Sequence, residues 1–304
     1  MKPLFVIPCC SAKEAGGPNP PWAGIRRDPG ANRFTFLDDH RLRLIDFYSG
    51  LSEENAARYY RHRGSSKKVA RAWRKNLGIR QSGTMEATIR YRGNLYKAID
   101  KEVLKRLRAG VIDNVLIVSA LMGIITPNDQ IPDYELMMMD LSPTATAVWE
   151  FWTKVFATSD SSQSLVSVFS QFSPVYCLMS TTTGYVRAVT DILSDRCAYS
   201  IVPEEPGQTN KSASWGRVLS DALLDGRGTL QEIKATAESH HCSVVELGSQ
   251  LASVGRPEPL HALATFDRRT HPKKKWGGPL CQDSEKGFLK VVRPPFLSFI
   301  SLVA

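Results

Sequence analysis

A chain of 304 residues, 42% of them hydrophobic, is long enough to bury a core, as one large domain or as one domain with a helical appendage. Lys and Arg number 39 against 30 Asp and Glu, giving a net charge of +9 and a pI near 9.3, which favours a polyanionic partner such as nucleic acid. The apolar runs 4–7 and 296–304 are too short for a signal-peptide core or a bilayer span, so no membrane association is expected and the cytoplasm is the expected location.

The first predicted element is the apolar run 4–7 (LFVI), a buried strand. It ends in Pro8-Cys9-Cys10-Ser11-Ala12-Lys13. Small polar residues and a Lys after a strand are either a turn whose amides and ammonium hold an anion, or ordinary surface. The spacing is not that of a P-loop. An insertion at about 20–90 follows, opening with a Pro/Gly-rich loop and carrying helical patterns near 38–48, 53–63 and 66–77. Between 58 and 75 it holds eight basic residues, Arg58, Arg61, Arg63, Lys67, Lys68, Arg71, Arg74 and Lys75, with His62 and no acid. Tyr59, Tyr60 and Trp73 are interleaved. Such a run is either a set of solvated helix faces or a grip on successive phosphates with an aromatic such as Trp73 stacked on a base.

Tyr91-Arg92-Gly93-Asn94-Leu95-Tyr96-Lys97 opens a helical pattern over 94–108, where Arg92 and Lys97 can meet a phosphate at a helix start. The second strand, 115–119, runs into SALMGIITPNDQIPDYEL at 119–136. Gly123 suits a tight turn and the two prolines stiffen an extended segment. Asp129, Asp133, Tyr134 and Glu135 are thereby delivered near a strand end. They form either a capped, solvated loop or a group of carboxylates that stabilises positive charge or orients water. After a helical pattern at 144–156, the third strand (175–179) ends in Ser180-Thr181-Thr182-Thr183-Gly184-Tyr185, an anion or base pocket or a helix N-cap. A helix at 185–193, a strand at 198–202, an unspecific polar loop and a helix at 212–224 complete the alternation. The patterns at 229–238 and 244–254 read as two short helices, a plain helical hairpin or a helix-turn-helix. Arg268, Arg269, Lys273, Lys274 and Lys275, with Trp276, make a second basic group in a loop.

Strands alternating with helices predict an α/β fold, with a mostly parallel central sheet, helices on both faces and a site at the carboxyl ends of the strands. The core is expected over 1–225, with the basic helical insertion at 20–90, and 226–304 as a helical, basic extension. The six cysteines form no CxxC pair and no zinc-like spacing, so buried free thiols in a reducing compartment are expected, with no metal and no cofactor.

The PCCSAK, RGNLYK and SALMGIITPNDQIPDYEL blocks together resemble the YaaA-like family, whose members carry PCS-x-K, LY-[KR] and LSA-x-x-G-[LIV]-[LIV]-x-P-x-x-x-I-x-x-Y-[DE]-L patterns. The third block is the specific one, and the resemblance covers roughly 1–15 and 90–225. Two departures are the doubled Cys9-Cys10 and Leu121-Met122, where an aromatic commonly precedes the glycine. The resemblance implies that Ser11, Lys13, Tyr96, Lys97, Ser119, Gly123, Tyr134 and Glu135 line the site, to which the strand-end loops add Cys10, Thr182 and Gly184. It also implies a fold similar to that of uracil-DNA-glycosylase-like proteins.

The expected function is therefore a DNA N-glycosylase that flips and excises a modified base, in defence against phage, with duplex DNA as partner. Asp133 or Glu135, and next Asp129, would stabilise the sugar cation or position water. Ser11, Lys13 or the 181–184 amides would stabilise the departing base. A Lys13 Schiff base ranks below hydrolysis, because nothing in the sequence buries Lys13. The rivals are a non-enzymatic DNA-binding stress protein and an enzyme acting on nucleosides or tRNA. Oligomeric state is left open.

Overall fold

Leu4, Phe5, Val6 and Ile7 are each exposed by 1% or less, and the strand that contains them, β1 (Lys2–Pro8), lies inside a six-stranded sheet. The computed structural model describes residues 1–28, 30–180, 184–204 and 211–247. The remaining strands are β2 (Asn19–Pro21), β3 (Gly83–Glu86), β4 (Val115–Ser119), β5 (Gly123–Ile125), β6 (Gln130–Ile131), β7 (Phe172–Cys177), β8 (Ala198–Pro203) and β9 (Cys242–Glu246). The main sheet has the order β5-β4-β1-β7-β8-β9, and β2-β3-β6 form a small second sheet. β4, β1, β7 and β8 run parallel, while the edge strands β5 and β9 are antiparallel to their neighbours. Every residue of β4 is buried, as a strand covered on both faces requires.

The helices, in order, are α1 (Trp22–Ile25), α2 (Asp38–Ser49), α3 (Glu53–Tyr59), α4 (Ser66–Leu77), α5 (Ala87–Arg90), α6 (Asn94–Ala98), α7 (Lys101–Arg108), α8 (Val148–Phe156), α9 (Ser159–Phe169), α10 (Tyr185–Leu193), α11 (Lys211–Leu224) and α12 (Leu230–Ser239). Among the described residues no helix is long and apolar enough to cross a membrane. The mixed α/β architecture, with a mostly parallel sheet flanked by helices, agrees with the sequence reading.

Three local expectations are corrected. The helix expected over 94–108 is two helices, because Ile99 is extended and the Asp100 carboxylate accepts from Glu102 N at 2.7 Å, capping a new start. The helix expected from 144 begins at Val148, since Ser142, Thr144 and Thr146 hydrogen-bond one another in a turn with Ala145 at φ 59°. Of the two helices expected at 229–238 and 244–254, the first is α12, but Cys242–Glu246 is a strand, and residues 248–254 lie outside the described residues. Thr229 and Glu232 form a capping box for α12, His241 turns the chain at φ 56°, and β9 pairs along β8 from Tyr199–Glu246 to Pro203–Cys242. The sheet thus continues past residue 225. A helix was expected there because Val244 and Val245 fit a helical apolar pattern; a sheet edge recruits such β-branched residues equally well.

The insertion packs into the core: Leu44, Ile45, Tyr48 and Tyr60 lie in the same hydrophobic cluster as β1 and β4. Tyr48 Oη donates to Leu141 O at 2.6 Å, and Leu141 N donates to Tyr59 O at 2.9 Å.

Candidate functional site

The register of β1 on β4, from Phe5–Val115 to Pro8–Val118, brings the loops after both strands to one edge of the sheet. In the turn after β4, Gly123 has φ 69°, and a Cβ there would lie 2.8 Å from Cζ3 of Trp152. Both observations demand glycine. Trp152 Nε1 donates to Ala120 O at 2.9 Å. On the other flank, the fully buried Arg41 donates to Met122 O and Ile124 O, both at 2.9 Å, and its remaining donors meet Asn32, Phe34 O and Asp38. A helix of the insertion therefore fixes the turn that ends β4.

Behind that turn lies a triangle of buried hydroxyls. Ser119 Oγ is 2.8 Å from Tyr134 Oη, Tyr134 Oη is 2.9 Å from Tyr91 Oη, and Tyr91 Oη donates to Ser119 Oγ at 3.3 Å. Burial raises the pKa of both tyrosines well above the ordinary value, so the phenols stay protonated. Lys13 closes this group. Its backbone forms a bridge with Tyr91, its Nζ donates to Cys10 O at 2.6 Å, and the same Nζ sits 4.1 Å from the centre of the Tyr134 ring. Burial pulls the Lys13 ammonium below its ordinary pKa, partly opposed by Cys9, Cys10 and Glu135. The Cys10 thiol accepts from Gly93 N at 3.2 Å and is pushed up to about 11 by burial.

The segment after β6 is held by side chains. Asn76 Oδ1 accepts from Glu135 N at 2.8 Å and its Nδ2 donates to Glu135 O at 2.9 Å, the pairing a neighbouring strand would otherwise supply. Arg63 donates to Glu135 Oε1 at 3.1 Å, to Glu135 O at 2.8 Å and to both oxygens of Asp140 at 2.6 and 3.2 Å. Glu135 Oε2 is buried with no hydrogen-bond partner. Glu135 also lines a cleft of about 470 Å³ with Ser11, Ala12, His62, Arg63, Lys68, Arg71 and Met137. The loop after β1, the IPDYEL segment and the basic insertion thus meet at a single opening.

Of the expected pocket residues, Ser11 and Glu135 line this cleft, and Lys13, Ser119 and Tyr134 form the cluster described above. Tyr96 is buried, with its Oη donating to Pro8 O at 2.8 Å, so it clamps the end of β1. Gly184, at φ 81°, starts α10 against Trp149. Thr182 lies outside the described residues, as do Arg268, Arg269, Lys273, Lys274 and Lys275.

Three acids were candidates for one role, and their surroundings separate them. Asp129 is turned into its own loop, accepting from Thr126 N at 3.0 Å and Thr126 Oγ1 at 2.6 Å, which makes it a turn cap. Asp133 pairs with Lys75 at 2.7 Å. Glu135 alone of the three lines the cleft.

The basic run divides as well. Arg63 is buried under the surface, Lys75 is half-buried on Asp133, and Trp73 is half-buried with Nε1 donating to Leu51 O at 2.7 Å, so it is a packing residue and no free wedge. Arg92 is exposed and paired with Glu14 at 2.9 Å. Arg58, Arg61, Lys67, Lys68, Arg71, Arg74 and Lys97 remain exposed. The sequence reading missed Arg41, Asn76 and Asp140, for which no local pattern gives a signal. It quoted Tyr91 only as the residue before Arg92. Of the cysteines, Cys9, Cys177 and Cys242 are buried free thiols, Cys10 is half-buried and Cys197 exposed. Among the described residues no three His, Cys, Asp or Glu side chains converge as a metal-binding group.

Residues 4–172, more than half of the chain, match the family model described as "Peroxide stress protein YaaA". The chain is also similar to UPF0246 protein CE1889 of Corynebacterium efficiens, with 29% identity over 153 residues. That alignment covers 48% of this chain and 58% of the relative, so the chain spans little more than half of that protein's length.

Proposed function

This chain belongs to the peroxide stress protein YaaA family, and on that premise we propose that it is a DNA-binding stress-response protein that holds duplex DNA across α4. The observation that carries the reading is the junction of a basic helix with a strand-end cleft. α4 contains no acid, and Lys67, Lys68, Arg71 and Arg74 are exposed on it. Among the described residues none of these four is in an ion pair of 4.0 Å or less. Exposed, unpaired cations bind phosphate by releasing its condensed counterions, which makes affinity fall steeply with salt. Lys68 and Arg71 stand at the cleft mouth, where they would fix the register of the backbone over Ser11 and Glu135.

The test is a mobility-shift titration of duplex DNA over a range of salt. Lys68→Ala with Arg71→Ala is expected to weaken binding and to lower the slope of log affinity against log salt by about 2, roughly one for each phosphate contact. Absence of binding at low salt, or an unchanged slope in the double variant, would overturn the reading.

One observation favours a second reading, excision of a modified base from foreign DNA. Glu135 Oε2 is buried and unpartnered in a residue that lines the cleft. A carboxylate there would stabilise the cationic sugar as the N-glycosidic bond breaks, and Ser11 or Lys13 would stabilise the base that leaves as an anion. Duplexes with unmodified, hydroxymethylated and glucosylated cytosine, incubated and then cleaved with alkali, test it. Strand breaks that vanish in Glu135→Gln are expected; intact strands on every substrate sink it.

A further inference from the structure

The strand-end loop holds an amine that the DNA-binding reading does not use and that the base-excision reading uses only as a cation. We propose that Lys13 is a carbonyl-reactive amine, and that the cleft beside it takes a phosphorylated open-chain sugar aldehyde, which it captures as an imine. As an abasic site in DNA, this ligand rests on the DNA-binding reading above; as a free sugar phosphate, it does not.

Three features on one loop support it. First, the amine is fixed. Nζ donates to Cys10 O at 2.6 Å and lies 4.1 Å from the Tyr134 ring centre and 5.7 Å from that of Tyr91. It has no carboxylate within ion-pair distance among the described residues, since Glu135 is held by Arg63. A lysine kept for structure alone is ordinarily paired when it leaves water. Second, the residue as a whole is half-buried, and Ser11 and Ala12, directly before it in the same loop, line the cleft. Third, His62, Lys68 and Arg71 line the same cleft and offer a phosphate its partners.

The loop's other nucleophile does not compete, because the Cys10 thiol is pushed up to about 11 and stays protonated. Burial acts on Lys13 in the opposite sense and favours the neutral amine that the reaction needs. The step balances without a co-reactant: the nitrogen lone pair adds to the aldehyde carbon, and the two N–H hydrogens leave with the carbonyl oxygen as water. A C=N bond remains.

The full chain is incubated with a duplex carrying one aldehydic abasic site, and in parallel with free 2-deoxyribose 5-phosphate, each with cyanoborohydride to reduce the imine. A covalent adduct mapping by peptide mass spectrometry to Lys13, ahead of the exposed Lys67, Lys68 and Lys97, is the expected result. Its yield should fall at least ten-fold in Lys13→Arg, with folding of the variant checked by thermal unfolding. The wild-type peptide map decides the matter should that variant not fold. Adduct on Lys13 with both probes, or with either one, supports the proposal and identifies the source of the aldehyde. A duplex that binds in the mobility shift, with neither probe trapped on Lys13, overturns the proposal and leaves DNA binding standing. A duplex that does not bind overturns the DNA reading alone, and the free sugar phosphate then decides whether Lys13 reacts.

Discussion

Lys13 illustrates how a single position changes meaning between sequence and structure. In the sequence it is one of 39 basic residues and sits in a loop where surface is the default. Folded, its ammonium lies against Tyr134 and loses hydration, so its pKa falls below 10.5, with Cys9, Cys10 and Glu135 acting against the shift and Lys75 adding to it. A base whose folded pKa lies below its unfolded value binds fewer protons when folded. Stability therefore rises as pH climbs through the folded pKa towards 10.5, and the full penalty stands below that window. Lys13→Met should accordingly differ most in its favour near neutral pH, and the difference should shrink as pH approaches 10.5. Urea unfolding of both proteins across this range measures it. Tyr91 and Tyr134 titrate in both proteins, while the Cys10 thiol, whose pKa the Lys13 charge lowers, is raised further in the variant and changes the difference in the same direction at high pH. A difference that does not vary with pH would show that Lys13 is not desolvated.

At the scale of elements, the segment from β6 to Asp140 holds the site with almost no regular structure of its own. Its two-residue strand pairs with β3, and from there side chains of the insertion take over: Ser82 on Asp133 N, Asn76 on Glu135 and Arg63 on Glu135 and Asp140. Arg63 and Asp140 are 5% and 0% exposed in their side chains, so each depends on the other. Arg63→Ala would strand a buried carboxylate, Asp140, and loosen Glu135. It should cost roughly 3–5 kcal/mol, read from urea or thermal unfolding. A loss below about 1 kcal/mol, as for an exposed pair, would refute this account of how the segment is held. The same reasoning explains why the basic run of the insertion is not uniform. Members of one sequence cluster divide between the exposed face of α4 and the inside, according to which side of each helix meets the core.

For the whole molecule, the parallel arrangement β4-β1-β7-β8 places the loops after β1 and β4 together, and the net charge of +9 is partly concentrated beside them on α4. The salt dependence expected under the proposed DNA binding belongs to this scale, because it counts phosphates neutralised by the assembled surface. The strands at 4–7, 115–119 and 198–202 and the helices at 66–77 and 185–193 were legible from composition and period, since burial on both faces leaves a continuous apolar run and a half-buried helix leaves a 3.6-residue one. The strand β9 was not, because two adjacent valines fit either period. The PCCSAK and IPDYEL blocks gave Ser11, Lys13, Tyr134 and Glu135 as neighbours, which the structure brings together. Sequence alone thus determined the fold class, and it named the strand ends and residue types that meet at the candidate site. Only the tertiary structure decided that Asp129 caps its own turn, that Asp133 is paired with Lys75, that Glu135 lines the cleft and that Arg63 is buried beneath it. Hydropathy and periodicity are local and survive in the sequence, whereas the partner of a charged group can come from a distant segment, as Asp140 does for Arg63 across 77 residues, and exists only once the chain has folded.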